Sequence, residues 1–454
     1  MLITGYAQVS IVKILSPVKG DNWQSVQSAI DEVAAMPIQT NGFRGKILLK
    51  SGNYEISKTL RIFQSGIVLC GERHPNGRTI LTATSPKRYN LLEVLGHDSL
   101  VIDKNSEANI TCDYTPVGTK EVTIDKVQNF NIGDPILLHR DSSAKCIQDI
   151  AMDRIPPRKD GRKIEQWPAV VYFFDFERNI TNIDGNTLTL DAPIVMAIER
   201  QYNSGKVWRV TANNRLSDIG IENIDMVSVY QGSEDENHGW TAIKMDFLEN
   251  AWVRNVTSRH FGYSCVELGR QTRLIAVENC KYLEPVSKIC GSRRYAFKLA
   301  GQQNLIMDCF ADHARHAFLT DSRVRGPNVF YNCKAENCHN DTGPHHRWAM
   351  GILYDNVTVD SSLNVQDRSN LGSGHGWSGV NHVLWNCTAE YAAVQNPPGG
   401  QNWCIEFHGK REPGQFPGRP SDYWEGNNKK GLLPVSLFLA QKEATKLNNI
   451  LSEQ

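Results

Sequence analysis

The stretch VENC, residues 277–280, decides how this chain is read. Apolar residues run into an asparagine, and cysteine or an aliphatic follows. The pattern comes back as IENI (Asn223), VRNV (Asn255), IMDC (Asp308), FYNC (Asn332), YDNV (Asn356) and LWNC (Asn386). From Asn223 onward the steps are 32, 24, 29, 24, 24 and 30 residues, so the longer ones read as 24 with a loop added. A period in the twenties means a solenoid. Leucine-rich repeats need leucines at fixed offsets and a helix in each turn. These runs are short and β-branched or aromatic, so a parallel β-helix fits better. Its coils stack equivalent residues into ladders. Asparagine suits a bend in such a ladder, because it tolerates left-handed backbone and its amide can bond the amide one coil away. Cys280, Cys309, Cys333 and Cys387 then stack inward as small hydrophobes, with disulfide bonding as the alternative. Asn255, Asn356 and Asn386 also match glycosylation sequons, a coincidence if they lie in the wall.

The amino-terminal part agrees. DNWQSVQSAIDEVAA reads as a helix with Asp21 as its cap, Gln24 three residues on, and an apolar face of Trp23, Val26, Ile30 and Val33. Short strands punctuated by Gly52-Asn53 and Gly66 follow. A helix here would cover the open end of the solenoid, whose first coil has no neighbour. From Asp21 to Glu72, and on through the asparagine coils to about 408, the chain resembles the pectate-lyase-like superfamily of right-handed parallel β-helices. The resemblance is specific for fold and much less so for reaction, since lyases, hydrolases, epimerases and phage tail spikes share it.

The expected architecture is therefore all-β: a right-handed parallel β-helix with an amino-terminal capping helix and an inserted antiparallel β-rich subdomain. Residues 1–20 form a leader or first strand, 21–110 the cap and first coils, and 213–408 the main coils. Between them, residues 111–212 alternate apolar and polar positions around Gly-Asp and Asp-Gly turns, which marks antiparallel hairpins projecting as one wall of a cleft. Residues 409–454 are Pro/Gly-rich and end in a short helix expected to cover the last coil.

The bulk numbers bound the partners. Hydrophobic residues are 40% of the 454, enough for a large core. Formal net charge is zero, which argues against a general nucleic-acid binder. No apolar run is long enough to span a membrane. The eleven cysteines show no zinc-finger spacing. At the start, Gly5-Tyr6-Ala7 reads either as the cleavage box of a truncated secretory signal or as part of an ordinary first strand. The signal reading implies a secreted or periplasmic protein. A monomer is expected.

The functional signal is DHARHAFLTD, residues 312–321. Similar basic clusters precede the core strand of successive coils: Arg259 and His260; Arg293 and Arg294; His313, Arg315 and His316; His345, His346 and Arg347; and His375. Each is followed by an aromatic, in order Tyr263, Tyr295, Phe318, Trp348 and Trp377. At about 4.8 Å per coil, five courses make a strip of roughly 19 Å, long enough for several sugar rings. Arginine forks match carboxylates or sulfates. Such a strip suits an anionic polysaccharide.

A uronate lyase needs a cation on the carboxylate, a base for the adjacent proton and an acid for the leaving oxygen. The expected catalytic set is His316, His345 and His346 with Arg294, Arg315 and Arg347. The expected substrate-binding set is Lys244, Lys298, His260, His313, Arg323, Trp348, His375 and Trp377. No cofactor is expected. Calcium could replace the arginine, but carboxylates at calcium spacing are not evident. The alternative enzyme is a glycoside hydrolase using Asp321 and Asp355, although no acidic pair recurs among Asp308, Asp312, Asp341 and Asp367. A non-catalytic carbohydrate-binding β-helix, adhesin-like or tail-spike-like, is the alternative from another class.

Overall fold

A computed structural model describes residues 9–73, 77–97, 100–202, 204–416 and 418–452. The Gly5-Tyr6-Ala7 box lies outside the described residues. Three sheets of parallel strands form the wall. The first face runs from Ile11–Leu15 to Tyr423–Glu425, the second from Gly52–Ile56 to His408–Arg411, and the third from Leu60–Ile62 to Gly343–Pro344. Register on the first face aligns Leu69, Ile221, Val253, Val277, Ile306, Phe330, Tyr354 and Leu384 in one inward column, all fully buried. Burial of each such side chain stabilises by roughly 1.5–3 kcal/mol. Phe330 and Tyr354 stack at 5.1 Å, so the column is continuous where its residues become aromatic.

The seven predicted ladder positions do lie at one bend, where the chain leaves the first face. All have positive φ, between 49° and 61°. That region penalises most side chains and is tolerated by asparagine and aspartate. The Asn255 amide donates to Asn223 at 2.9 Å, Asn279 to Asn255 at 2.7 Å, Asn332 to Asp308 at 2.6 Å and Asn386 to Asn356 at 2.7 Å. Asp308 has no amide to donate, so it cannot continue the run to Asn279. The sequon amides of Asn255 and Asn386 are thus engaged in the wall, and that of Asn356 donates to Asp355 Oδ1 and Val435 O. Cys280, Cys309, Cys333 and Cys387 are buried and unbridged, each thiol resting 3.3–3.5 Å from the carbonyl two residues earlier.

The helix Trp23–Ala34 buries Val26, Ala29, Ile30 and Val33 against the first coils. Its cap is Asn22, not Asp21. Asp21 instead accepts from the Trp23 and Ser57 backbone N–H groups, tying the helix start to the second face. The carboxy-terminal helix Leu437–Ser452 does not cover the last coil. It folds back along the wall, where the Asp355 carboxylate accepts from Ser436 Oγ and Phe438 N at 2.8 and 2.7 Å and Phe438 packs on Tyr331. The last coil is extended instead by Tyr423–Glu425, with Trp424 edge-on to Phe407.

The insertion leaves after Leu92–Leu95 on the third face and returns at Leu216–Glu222 on the first. Its antiparallel sheet takes in Leu100–Ile102 as well as the later hairpins, because that strand pairs with Gly205–Asn213. It has its own core, which Trp348, Met350, Trp377 and Val380 of the solenoid complete. A buried bidentate pair, Arg215 with Glu177 at 2.6 and 2.7 Å, roots it, and Arg178 donates to Gly326 O. The insertion therefore flanks the turn from the third to the first face along several coils.

Candidate functional site

The outer surface of the third face is where the pattern stops repeating. Lys244, Glu267 and Lys298 follow one another in register at a mid-strand outward position, with Glu93 before them. Lys298 Nζ lies 3.2 Å from Glu267 Oε1 and 3.0 Å from Asp321 Oδ2, so the two carboxylates come within about 6 Å of each other. Burial opposes charge on Asp321, but Lys298, His346 and the Ser322 N–H together outweigh it and hold the carboxyl at about 2. Burial likewise opposes charge on Lys298, and Tyr263, Asp321 and Glu267 together hold its pKa above the usual lysine value.

Beside this charged line runs a column of rings. Trp240 stacks on Tyr263 at 5.8 Å, Tyr263 meets Tyr295 at 5.3 Å, and Tyr295 stands in register with His316. Tyr295 Oη and His345 Nε2 are 3.2 Å apart. The His345 ring touches His316, His346 and His375 at 4.5, 5.1 and 5.0 Å. His346 Nε2 in turn lies 3.7 Å from Asp321 Oδ1, which joins the ring column to the charged line. At the base, His316 Nδ1 donates to Asp341 O at 2.6 Å, Arg315 Nη1 donates to His316 Nε2 at 2.9 Å, and Arg368 pairs with Asp341 at 2.6 Å.

These histidines are not the cationic strip that the sequence suggested. Burial, and then the neighbouring histidines and Arg368, push His345 far below the usual imidazole value. Burial also lowers His346 to about 4, and burial with His346 lowers His375 to about 2. At neutral pH the cluster is uncharged, as a proton acceptor must be. His345, His346 and His375 each keep a buried Nδ1 with no protein partner. Among the described residues no group of three or more His, Cys, Asp or Glu side chains is arranged to hold a metal ion.

The structure brings together Tyr295, Lys298, Arg315, His316, His345, His346 and His375, with Lys244 two positions along the charged line from Lys298. It separates others. The Arg294 guanidinium turns to Ser287 O at 2.7 Å. Arg347 is tied to Glu165 and Ser373, both at 2.8 Å, and so clamps the insertion rather than reaching the open face. His260 pairs with Glu284 and His313 with Asp312 at a different bend, where the chain leaves the second face. His260, Glu284, His313 and Asn337 all have positive φ there, so they form a second turn ladder. Trp348 and Trp377 are buried in the insertion core; Trp377 Nε1 donates to Ile150 O at 3.2 Å. Phe318 points inward and stacks on Phe297. The outward rings are Trp240, Tyr263 and Tyr295. Asp355 seats the carboxy-terminal helix and takes no part in the site.

Sequence reasoning passed over Glu267, Trp240 and Arg368. Aligning AIK, CVE and AFK at Lys244, Glu267 and Lys298 would have found the first. A cavity of about 520 Å³ opens beside Arg368 and Asp341 on the next coils, lined also by Asn364, Gln366 and Tyr391. A similar volume, about 530 Å³, lies along the asparagine turn, where Asn223, Asn255 and Asn279 already pair in the wall.

No protein-family model matches this chain, and no curated protein does. Among solved structures it is similar to the tailspike protein gp49 from Pseudomonas phage LKA1, with a TM-score of 0.51 and 14% identity over 85% of this chain and 57% of that one. The tailspike of E. coli bacteriophage HK620 in complex with a pentasaccharide gives 0.43 and 10% over 90% and 62%, and pectate lyase Pel9A gives 0.42 and 11% over 89% and 78%. The chain spans less than two thirds of the length of these two phage proteins. The likeness is one of fold: this chain is a right-handed parallel β-helix. Among the described residues no helix is long and apolar enough to cross a membrane.

Proposed function

We propose that the third face binds an acidic polysaccharide and cleaves it by β-elimination. The observation that supports this is the Tyr295–His345 hydrogen bond inside a cluster of uncharged imidazoles on the outer face. In the reaction a neutral imidazole takes the proton from the carbon next to the uronate carboxylate. The electron pair left behind forms the double bond, and the glycosidic C–O bond breaks. Tyr295 protonates the departing oxygen, and the hydrogen bond lets the histidine return that proton to the phenolate. Arg315, whose guanidinium touches His316, and Lys298 supply positive charge as the carboxylate becomes enolate-like. Such polymers are met outside the cytoplasm, so a secreted or periplasmic location belongs to this reading.

A second reading has one observation in its favour. Glu267 and Asp321 flank Lys298 at a separation compatible with the carboxyl pair of a glycoside hydrolase. Against it, Lys298 keeps Asp321 ionised, the wrong direction for a proton donor. The deciding experiment incubates the protein with a panel of uronate polymers and follows the ultraviolet chromophore of an unsaturated uronate. The lyase reading expects the chromophore to grow and Asp321→Asn to retain substantial activity. Chain shortening without the chromophore, abolished by Asp321→Asn, would show a hydrolase.

A further inference from the structure

Three arginines from three coils gather at the edge of this groove, and two of them, Arg323 and Arg347, touch the insertion. Arg270 donates to Ser322 Oγ at 2.6 Å. Arg323 reaches Val171 O and lies over the Tyr172 ring at 5.6 Å. Arg347 holds Glu165 and Ser373. Between Arg323, Arg347 and the segment 165–172 is a cavity of about 170 Å³, lined also by Tyr172 and by Ser322, which Arg270 holds from behind. The charges here do not balance. Glu165 is largely exposed and serves Arg347. Asp321 is committed to Lys298 and His346. Among the described residues neither Arg270 nor Arg323 has a carboxylate within ion-pair distance. Burial, and then the neighbouring Arg270 and Arg347, disfavour charge on Arg323. Of these three guanidinium groups only Arg347 has a carboxylate, and an added anion would stabilise the other two.

We infer that this cavity is a subsite for a second anionic substituent, a sulfate ester or carboxylate, on a sugar beside the one that is cleaved. The position follows from the chain itself. Ser322 and Arg323 directly follow Asp321, and Arg347 directly follows His346, so the cavity adjoins the His346–Asp321 contact. An arginine fork receives two oxygens of either group, and Ser322 Oγ adds a hydroxyl. The substrate class is then a glycan with acidic groups on neighbouring sugars rather than one with isolated uronates. This rests on the proposal that the third face is the glycan groove, but not on the reaction performed there.

The test is a binding measurement on the whole 454-residue chain. Calorimetric titration would use three oligosaccharide probes: a sulfated uronate-containing glycan, the same glycan chemically desulfated, and an oligogalacturonate with a carboxylate on every ring. Arg270→Gln, Arg323→Gln and the charge-preserving Arg323→Lys would be compared with the parent. The expected result is that both Gln variants weaken the preferred polyanion about tenfold or more, while Arg323→Lys recovers part of the loss. Preference for the sulfated form over the desulfated one identifies sulfate; equal binding of those two with tight oligogalacturonate binding identifies carboxylate. If both Gln variants remain folded by circular dichroism and bind all probes as the parent does, the inference is overturned. If a Gln variant fails to fold, the decision passes to Arg323→Lys, whose fork is lost: unchanged affinity overturns the inference, and a severalfold loss supports it. Arginine-dependent binding without unsaturated product would remove the lyase proposal and leave the subsite standing. Unsaturated product with a KM unaffected by the Gln variants would do the reverse.

Discussion

The asparagine bend and the third face are built on the same coils and follow opposite rules. At the bend one residue type recurs, its left-handed backbone recurs, and its amides bond each other along the stack. On the third face the outward residue changes with almost every coil. Trp240 gives way to Tyr263, Tyr295 and then His316, and three neighbouring histidines keep buried nitrogens without protein partners. A solenoid gains stability by repetition, since each coil then satisfies the next. Positions that abandon the repeat and leave polar atoms unpaired cost stability, and such a cost is usually kept for binding or catalysis.

The contrast is tested hardest by removing the proposed acid–base pair. His345→Ala and Tyr295→Phe are each expected to lower turnover by roughly 100- to 10,000-fold. Tyr295→Phe, which loses two long hydrogen bonds, to His345 and from Ser292 N, should lower stability by only about 1–2 kcal/mol. Steady-state kinetics with urea unfolding on the same preparations reads both; equal damage to activity and stability would make the third face merely structural. Trp377→Ala is the counter-case. That ring fills the insertion core, so the expected loss is about 3–5 kcal/mol of unfolding free energy by denaturant titration. A stable variant with only weakened substrate affinity would return Trp377 to the groove.

A third expectation concerns pH. His346 and His375 are held below their ordinary value of 6.5 by burial, His346 at about 4. The unfolded chain takes up protons there that the folded chain refuses. Stability is therefore full above pH 6.5 and declines as pH falls, toward about 4 for His346 and further for His375, by roughly 3 kcal/mol for a group shifted like His346. His346→Asn with His375→Asn should flatten that part of a stability–pH curve. An unchanged slope would mean that the imidazoles are solvated.

The smallest effect sharpens the other side of the contrast. Asp308 interrupts the asparagine run because it cannot donate. Asp308→Asn should restore the bond to Asn279 and add about 1 kcal/mol, seen as a higher denaturation midpoint with turnover unchanged.

The bend was legible in the sequence because its requirement is local: each coil needs a residue that accepts positive φ, and asparagine announces it. The inward cysteines followed from the same alignment. The histidines of the site were legible through their density, but their company was not. Loops of unequal length separate the courses, so matching aromatics by distance from each cluster chose Phe318, whereas strand register pairs His316 with Tyr295. Trp348 and Trp377 looked exposed because the residues that bury them, such as Met152 and Trp167, come from the insertion, far away in the chain. Charge was also hidden. A run of His and Arg reads as positive until burial is known, and here burial neutralises the histidines while the insertion occupies Arg347.

The position of the insertion also sets an order for assembly. A solenoid can grow by docking each new coil on the last, which needs only short-range closure. Here the strand Leu216–Glu222 must dock on Ile67–Gly71, and the Arg73–Asn223 bond spans 150 positions. Closing so long a segment as a free loop would be slow, because non-local contacts come only after the loop entropy is lost. If residues between Leu100 and Asn213 fold first on their own core, they bring the two ends together as a preformed bridge. The insertion is thus the clasp on which growth of the remaining coils depends.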